Sequence, residues 1–235
     1  MNTIIKQKLK DIEKQENVKI ILAIESGSRA WGFESPDSDY DVRFIYIREK
    51  DSYLKLEGIR DVIEWQLDDT LDINGWDIQK VLRLLYKSNP TLLEWCNSPI
   101  VYKEESEFKL LKKCLEECFS RQKGMYHYLH MTKRNYDELC KKNQIKAKKY
   151  FYVLRPLLAA KWIINEKSMA PVKFEVLVNS QLEENMKPIV NQLLNIKMNA
   201  PELHLINRIP ELDKYIENTM QWIQENSSIE DKQVS

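Results

Sequence analysis

The N-terminal part of the chain has the apolar pattern of one helix followed by several short strands. Apolar side chains recur at helical spacing over residues 4–12, which predicts an amphipathic helix. Residues 18–24 form a nearly continuous apolar run, as expected for a strand that is buried on both faces. Residues 41–47 have the pattern of a second strand, and residues 60–67 and 70–74 predict two more. Together these patterns indicate a small α/β domain.

From Trp76 onward the apolar period changes to about 3.6 residues, which is typical of amphipathic helices. The predicted helices cover residues 76–88, 90–98, 104–120, 121–142 and 144–166, with weaker patterns over 171–198 and 209–226. Asn89-Pro90 ends the first of these helices, and Pro156 predicts a kink or a break in the fifth. The sequence therefore predicts an α/β domain over residues 1–88 and an all-helical domain over residues 89–235.

The formal net charge of zero hides an uneven distribution of charged side chains. Lys and Arg together number 36, and Asp and Glu also number 36, which excludes a histone-like protein or one with an acidic tail. Residues 1–75 hold 11 basic and 16 acidic side chains, whereas residues 121–150 hold 9 and 2. The division suits an acidic site and a basic surface, or two ordinary solvated faces, and charge alone favours the second interpretation.

Cysteine content and hydropathy indicate a cytoplasmic protein. The four cysteines form neither a disulfide framework nor a zinc site with neighbouring His or Cys side chains. The N-terminal sequence lacks the apolar segment of a signal peptide. The most apolar long stretch, residues 150–164, is too short and too polar to span a bilayer. We therefore predict a cytoplasmic location and no membrane partner, with monomer and homodimer both open.

The most informative stretch is residues 24–44, IESGSRAWGFESPDSDYDVRF. Gly27 and Ser28 follow the first predicted strand, where close backbone approach and a hydroxyl donor suit a phosphate. Asp39 and Asp41 stand at the head of the second strand, and side chains at positions i and i+2 of a strand point to the same face. Two carboxylates close together favour a hard cation such as Mg²⁺, which binds carboxylate and phosphate oxygens. The order of these features predicts a metal–phosphate site.

This order resembles the DNA polymerase β-like nucleotidyltransferase superfamily, in which a GS motif and a DxD motif flank a nucleotide–metal site. Four blocks resemble one family within it, the nucleotidyltransferase family named for its genomic association with RNA ligases: GSRAWGFESPDSDYDVRFIYI, NGWDIQKVLRLLYKSNPTLLEW, NSPIVY and KKYFYVLRPLLAAKW. The similarity covers roughly residues 18–165. It implies a nucleotidyltransferase domain of α/β (α+β) class with a small mixed sheet, followed by a helical domain that closes the nucleotide site.

The resemblance assigns roles to the two motifs. Gly27 and Ser28 are expected to bind the triphosphate of an NTP such as ATP, and Asp39 and Asp41 to bind Mg²⁺ or Mn²⁺. One metal would orient the triphosphate, and another would lower the pKa of the attacking hydroxyl, which displaces pyrophosphate in line.

The superfamily pattern also implies a third acidic residue on a following strand. We assign Asp72, because Leu71 and Ile73 would point into the core and leave Asp72 on the other face. Glu64 is the first alternative. Asp77 is the second, although the sequence around it is also typical of a helix start, where an Asp is favourable. The predicted catalytic and metal-binding set is therefore Asp39, Asp41 and Asp72.

Further candidates for phosphate binding are basic side chains. Arg29 follows the GS motif, and it either reaches a phosphate or forms an ion pair with Glu25 or Asp37. Cationic and aromatic side chains alternate along the long helices of the second domain, as a triphosphate or a nucleic acid would require. Lys149 and Arg155 are the candidates there.

The implied function is metal-dependent transfer of an NMP from an NTP to an acceptor hydroxyl. The family's association with RNA ligases indicates an acceptor in RNA, and hence a role in RNA processing or repair. Two alternatives stay open. The same site would also serve to nucleotidylate a small molecule or a protein, and a nucleotide-binding or RNA-binding module without turnover would keep the same motifs.

Overall fold

The computed structural model describes residues 1–66, 70–199 and 205–228. The chain divides into two compact units. The first contains Met1–Ala30 and Asp39–Cys118, and the second contains Trp31–Ser38 together with the described chain from Phe119 onward. By packing, residues 89–118 thus lie in the first unit. The division into a catalytic domain over residues 1–88 and a helical domain over residues 89–235 that closes the site stays a prediction.

The bounds of the helices and strands follow the predicted order. The helices of the described residues are α1 (Asn2–Glu16), α2 (Gly27–Trp31), α3 (Lys50–Tyr53), α4 (Ile78–Tyr86), α5 (Pro90–Cys96), α6 (Ser106–Cys118), α7 (Arg121–Cys140), α8 (Lys148–Glu166), α9 (Phe174–Gln181), α10 (Lys187–Asn199) and α11 (Pro210–Glu225). The strands are β1 (Lys19–Glu25), β2 (Tyr40–Ile47), β3 (Val62–Gln66), β4 (Leu71–Asp77), β5 (Val101–Glu104), β6 (Gln144–Lys146) and β7 (Leu205–Asn207). β1 to β4 confirm the predicted strands, whereas β5, β6 and β7 were not predicted.

The first unit is built on a five-stranded mixed sheet with the strand order β3-β4-β2-β1-β5. β1 pairs antiparallel with β2 on one side and with β5 on the other. β4 runs parallel to β2 and antiparallel to β3. Because β2 and β4 are parallel neighbours, the first residues of both strands lie at the same edge of the sheet. The small mixed sheet that the resemblance implied is confirmed.

Apolar side chains of α1 and of the sheet form the core of the first unit. Ile5, Leu9 and Ile12 are buried at helical spacing along α1. They belong to one cluster with buried side chains of β1, β2, β3 and β4. Gly75 of β4 is part of this packing, because a Cβ added there would lie 2.1 Å from a ring carbon of Phe44. The glycine therefore leaves room for the Phe44 ring between the strands.

The second unit is helical, with α8 at its centre. α8 is continuous from Lys148 to Glu166 although it contains Pro156, so the break considered at this proline is absent. Phe33, Phe151 and Phe174 pack together with ring centroids 5.1, 5.4 and 5.6 Å apart. None of the helices in the described part of the chain is both long enough and apolar enough to cross a membrane.

A short two-stranded ribbon interrupts the helical pattern of the second unit. Residues 144–146 were predicted as the start of a helix, but they form β6, which pairs antiparallel with β7. Ile145 is buried in this strand, while Gln144 is exposed and Lys146 is half-buried. Three residues are too few to show an alternating period, and the cationic residues that follow are compatible with a helix. The helical C-terminal part is otherwise confirmed, except that residues 101–104 of the predicted helical domain form β5 of the five-stranded sheet.

A buried polar group lies between α8 and α11. The hydroxyl of Tyr150 donates to Oδ1 of Asp213 at 2.9 Å and accepts from the backbone N–H of Ile209 at 2.8 Å. The guanidinium of Arg208 lies 2.8 Å from Oδ2 of Asp213. Tyr150 is fully buried, and this burial is the largest cause of its raised pKa. Because every oxygen of this group has a partner, the group can lie inside the unit without a large desolvation penalty.

Candidate active site

The GS motif forms the first two residues of α2, which follows β1 after Ser26 alone. We call this tight passage from strand to helix the GS turn. Gly27 has a positive φ of 61°, a backbone conformation that residues with a Cβ rarely adopt. A Cβ added to Gly27 would lie 2.1 Å from Oδ2 of Asp41. The backbone N–H of Ser26 donates to the carbonyl of Asp41 at 2.8 Å. Glycine is therefore required here, because the turn passes directly against the Asp41 carboxylate.

The pairing of β2 with β4 places two predicted aspartates side by side. Asp41 of β2 is in register with Asp72 of β4. Leu71 and Ile73, which flank Asp72, are buried, while Asp72 itself is partly exposed. The predicted alternation along β4 is thus confirmed. Asp41 and Asp72 project from the same face at the edge where the GS turn lies.

The guanidinium of Arg43 bridges these two carboxylates. Its Nη2 lies 2.9 Å from Oδ1 of Asp41 and 2.7 Å from Oδ2 of Asp72. Its Nη1 donates to the backbone carbonyls of Val42 at 3.0 Å and of Asp72 at 3.2 Å. One nitrogen therefore holds the backbone while the other holds both carboxylates. Nothing in the local sequence pattern predicted this role of Arg43.

A buried glutamate holds the backbone of Asp41 in place. Glu25, the last residue of β1, is fully buried. Its Oε1 accepts from the backbone N–H of Asp41 at 2.8 Å, and its Oε2 accepts a short hydrogen bond from the hydroxyl of Tyr102. Burial is the largest cause of the raised pKa of Glu25, and the two hydrogen bonds oppose it. The backbone of Asp41 is thus fixed through its N–H by Glu25 and through its carbonyl by Ser26.

Asp39 and Arg29 lie beside this group. Asp39 is exposed and directly precedes β2. Its backbone carbonyl accepts from Nε of Arg29 at 3.1 Å. The guanidinium carbon of Arg29 lies 3.8 Å from the centroid of the Tyr40 ring. The structure therefore holds Arg29 next to the DxD motif, and its phosphate contact stays a prediction.

The two alternatives for the third carboxylate lie elsewhere. Glu64 is an exposed residue of β3 and pairs with Asn74, so a whole strand separates it from Asp41. Asp77 is the N-cap of α4: it accepts from the backbone N–H of Gln79 at 2.8 Å. It also accepts from the hydroxyl of Tyr53 at 3.0 Å, and burial raises the pKa of Tyr53 to about 12. Asp77 is therefore a structural residue, as the helix-start interpretation predicted.

The basic candidates of the second unit have unlike surroundings. Lys149 is exposed in the first turn of α8. Arg155 is 3% exposed, and its guanidinium carbon lies 4.5 Å from the centroid of the Trp31 ring. Arg155 also donates to the carbonyl of Val172 at 3.3 Å. These contacts are those of a structural side chain, and a phosphate role for Arg155 or Lys149 stays a prediction.

The chain that carries this group of residues matches one protein family over its whole length. The family model described as "RlaP: RNA repair pathway DNA polymerase beta family" matches residues 1–235. The chain belongs to this family. The resemblance that was based on four sequence blocks is thereby confirmed, and the family relation extends to residues outside those blocks.

A curated relative supports the same assignment to the RlaP family. The protein YcgL of Bacillus subtilis (strain 168), described as uncharacterized, is 47% identical over 219 residues. The similarity covers 92% of this chain and 84% of YcgL. A solved structure of a nucleotidyltransferase-like protein from Exiguobacterium sibiricum 255-15 aligns with 95% of this chain and 74% of its own, at 13% identity and a TM-score of 0.33.

The carboxylates of this RlaP-family chain have the donor type that a divalent cation requires. Asp41 and Asp72 converge on one positive charge, the Arg43 guanidinium, which stands in for a cation. Among the described residues, no three His, Cys, Asp or Glu side chains are grouped closely enough to hold a metal ion as they stand. The metal role of Asp39, which directly precedes β2, stays a prediction. The pair Asp41–Asp72 fits a cation in chemistry and position.

Three residues of this site were not predicted from the sequence, because their roles depend on neighbouring strands. Arg43 reads as an ordinary polar residue of β2, and only the β2–β4 pairing brings it to Asp72. Tyr102 lies on β5, which was not predicted. Glu25 gave the one available signal, a carboxylate at the end of an apolar run directly before the GS motif.

Proposed function

We propose that this protein transfers an NMP from an NTP to a hydroxyl of an RNA acceptor, with Mg²⁺ or Mn²⁺ as the cofactor. The observation that carries the proposal is the convergence of Asp41, Asp72 and the Gly27 turn at one edge of the sheet. A carboxylate pair that attracts a cation lies there against a turn that admits close approach of a phosphate. Membership of the RNA repair pathway family supports RNA as the acceptor.

The residues of the site have distinct tasks in this reaction. Asp41 and Asp72, with Asp39 beside them, would hold the divalent cation. A bound cation neutralises charge on the triphosphate and lowers the pKa of the attacking hydroxyl. The GS turn binds the phosphates through its backbone and through the hydroxyl of Ser28, and Arg29 adds a positive charge next to it.

The bond changes balance without a further reactant. The acceptor oxygen forms a bond to the α-phosphorus of the NTP, and the bond from that phosphorus to pyrophosphate breaks. The proton of the acceptor hydroxyl passes to a carboxylate of the site and from there to solvent. Glu25 takes no direct part, and it keeps the Asp41 backbone in place through the N–H bond.

The experiment measures pyrophosphate release from each of the four NTPs with Mg²⁺ and a pool of short RNAs. Asp41→Asn and Asp72→Asn are expected to abolish release. Glu64→Gln is the matched control, because Glu64 is an exposed carboxylate on the strand beyond Asp72. Release that requires both aspartates and RNA supports the proposal.

Other results would contradict it. Pyrophosphate release that is unaffected by Asp41→Asn would show that the active site does not include Asp41. Pyrophosphate release that requires a small molecule or a protein in place of RNA would show that the acceptor is not RNA. NTP binding without any pyrophosphate would favour a binding module instead of an enzyme.

A further inference from the structure

The Arg43 guanidinium occupies the position in which a cation would meet Asp41 and Asp72. Its Nη2 contacts Oδ1 of Asp41 at 2.9 Å and Oδ2 of Asp72 at 2.7 Å. These are carboxylate oxygens of the two aspartates that the proposed function assigns to the divalent cation. Binding of a metal to the same oxygens and binding of Nη2 to them are therefore in competition.

The guanidinium has an anchor that does not depend on the carboxylates. Nη1 donates to the carbonyls of Val42 and Asp72, at 3.0 and 3.2 Å. When the carboxylates bind a metal ion instead, these backbone hydrogen bonds keep Arg43 at the edge of the site. Its positive charge then lies beside any anion that is bound there.

The exposure of the three side chains shows that this exchange is feasible. The Asp41 and Asp72 side chains are 33% and 48% exposed, whereas that of Arg43 is 17% exposed. Ion pairs of partly exposed carboxylates are screened by solvent and contribute little to stability. The pairs with Arg43 can therefore break without loss of the fold, and both carboxylate side chains are partly accessible to solvent.

We propose that Arg43 is an internal counter-ion that makes metal binding depend on the nucleotide. In the unliganded protein its single positive charge offsets one of the two negative charges of Asp41 and Asp72, and this weakens binding of a free divalent ion. A metal–triphosphate complex binds better than the metal alone, because its phosphates give the released guanidinium a new anionic partner. This inference rests on the proposed function, and it adds the order in which the ligands are accepted.

The test is Mn²⁺ binding, measured from the electron paramagnetic resonance signal of free Mn²⁺. Wild type, Arg43→Met, Arg43→Lys and Arg83→Met are titrated alone and with a non-hydrolysable NTP. Arg83 is an exposed residue of α4, so Arg83→Met removes one positive charge away from the site. Circular dichroism and thermal unfolding confirm that each variant is folded, and Arg43→Gln replaces Arg43→Met if the latter is not.

We expect Arg43→Met to bind free Mn²⁺ about tenfold more tightly than wild type, since two screened ion pairs no longer compete. The NTP should strengthen Mn²⁺ binding less in this variant than in wild type. Arg43→Lys and Arg83→Met should resemble wild type. The double variant Arg43→Met/Asp72→Asn should lose the gain, which locates the ion at the carboxylate pair.

Unchanged or weaker Mn²⁺ binding by Arg43→Met would overturn the inference and make Arg43 a structural tie. The binding measurement involves no turnover, so it separates this inference from the proposed function. A gain in Mn²⁺ affinity without pyrophosphate release by wild type would support the counter-ion and contradict the transferase. Pyrophosphate release that depends on Asp72, with no gain in Mn²⁺ affinity in Arg43→Met, would support the transferase and contradict the counter-ion.

Discussion

Two groups of aspartate and arginine side chains in this protein have opposite surroundings. In the second unit, Asp213 is 8% exposed, and each of its carboxylate oxygens has its own partner, Tyr150 or Arg208. In the first unit, Asp41 and Asp72 share Arg43 and face solvent. The same residue types thus form a closed group in one place and an open group in the other.

The difference in exposure between the two groups indicates that the closed group serves stability and the open group serves ligand binding. Removal of one partner from a closed group leaves a buried polar atom without a hydrogen bond, which costs about 1–3 kcal/mol of folding free energy. An open and partly exposed pair contributes about 0–1 kcal/mol and leaves its charge available to a ligand. Substitutions in the open group should therefore change activity, and substitutions in the closed group should change stability.

After substitution of Asp41 or Asp72 themselves, Gly27→Ala gives the largest expected effect in the first unit. The new Cβ would overlap Oδ2 of Asp41, so the carboxylate must move by about the size of the overlap. A displacement of about 1 Å at a reacting group costs about 100-fold in rate. We expect NMP transfer to fall by about that factor, while the protein stays folded.

Gly32→Ala is the matched control for Gly27→Ala. Gly32 also has a positive φ, 85°, but a Cβ there meets no atom within 4 Å. Both variants therefore carry the cost of the left-handed conformation, about 1–2 kcal/mol. Equal loss of activity in the two variants would show that backbone strain, and not the Asp41 contact, explains the need for glycine.

Tyr150→Phe gives the largest expected effect in the second unit. The substitution removes the hydroxyl that joins Asp213 to the N–H of Ile209, and both groups then lack this buried partner. We expect the free energy of unfolding to fall by about 2 kcal/mol, measured by denaturant titration. The rate of transfer per folded molecule should not change.

Tyr126→Phe tests whether burial of the hydroxyl is the reason for the loss of stability expected in Tyr150→Phe. Tyr126 is 37% exposed on α7, and its hydroxyl donates to Ser227 at 3.2 Å. Water replaces that bond, so the expected loss is below about 0.5 kcal/mol. A loss as large as that of Tyr150→Phe would contradict the comparison between closed and open groups.

The open group was the easier of the two to predict from the sequence. The GS turn, the DxD motif and the alternation around Asp72 are local patterns, and the structure places Asp41 and Asp72 together as the parallel strands require. The resemblance to the family strengthened these local signals, since one motif-rich block carries most of them. Asp39 belongs to the same motif but lies just before β2, where strand geometry no longer sets its direction.

The closed group and the supports of the site were not predictable in the same way. Tyr150 reads as part of the apolar face of α8, and its partner Asp213 lies on α11, far along the chain. Glu25 and Tyr102 meet because β5 pairs with β1, and β5 has no clear strand pattern of its own. Contacts between distant segments depend on tertiary packing, which a period along one segment does not contain.

Glu25→Gln gives a smaller effect that depends on pH. Burial raises the pKa of Glu25 above its ordinary value of 4.5 in the folded protein. Between the unfolded and the folded pKa, the folded state binds a proton that the unfolded state has lost, so wild-type stability falls as pH rises through that window. The slope is at most about 1.4 kcal/mol per pH unit.

The Glu25→Gln variant lacks this titration, so its stability relative to wild type should rise as the pH is raised from about 4 through that window. Denaturant titrations at several pH values measure the difference. Glu64→Gln serves as the control, because Glu64 is exposed and has no buried charge to remove. A pH-independent difference between Glu25→Gln and wild type would show that the ionisation of Glu25 does not differ between the folded and unfolded states.

Asp61→Asn is expected to have the smallest effect on stability and on transfer. Asp61 pairs with Lys80 of α4 at 3.5 Å, and its side chain is 43% exposed. This pair is open like that of Asp41 and Asp72, but it lies outside the site, and in the described part of the chain Lys80 forms its ion pair with one carboxylate. We expect a change in unfolding free energy below about 0.5 kcal/mol and no change in transfer. A large loss of stability in Asp61→Asn would mean that openness alone does not make an ion pair weak, and that the availability of Asp41 and Asp72 needs another explanation.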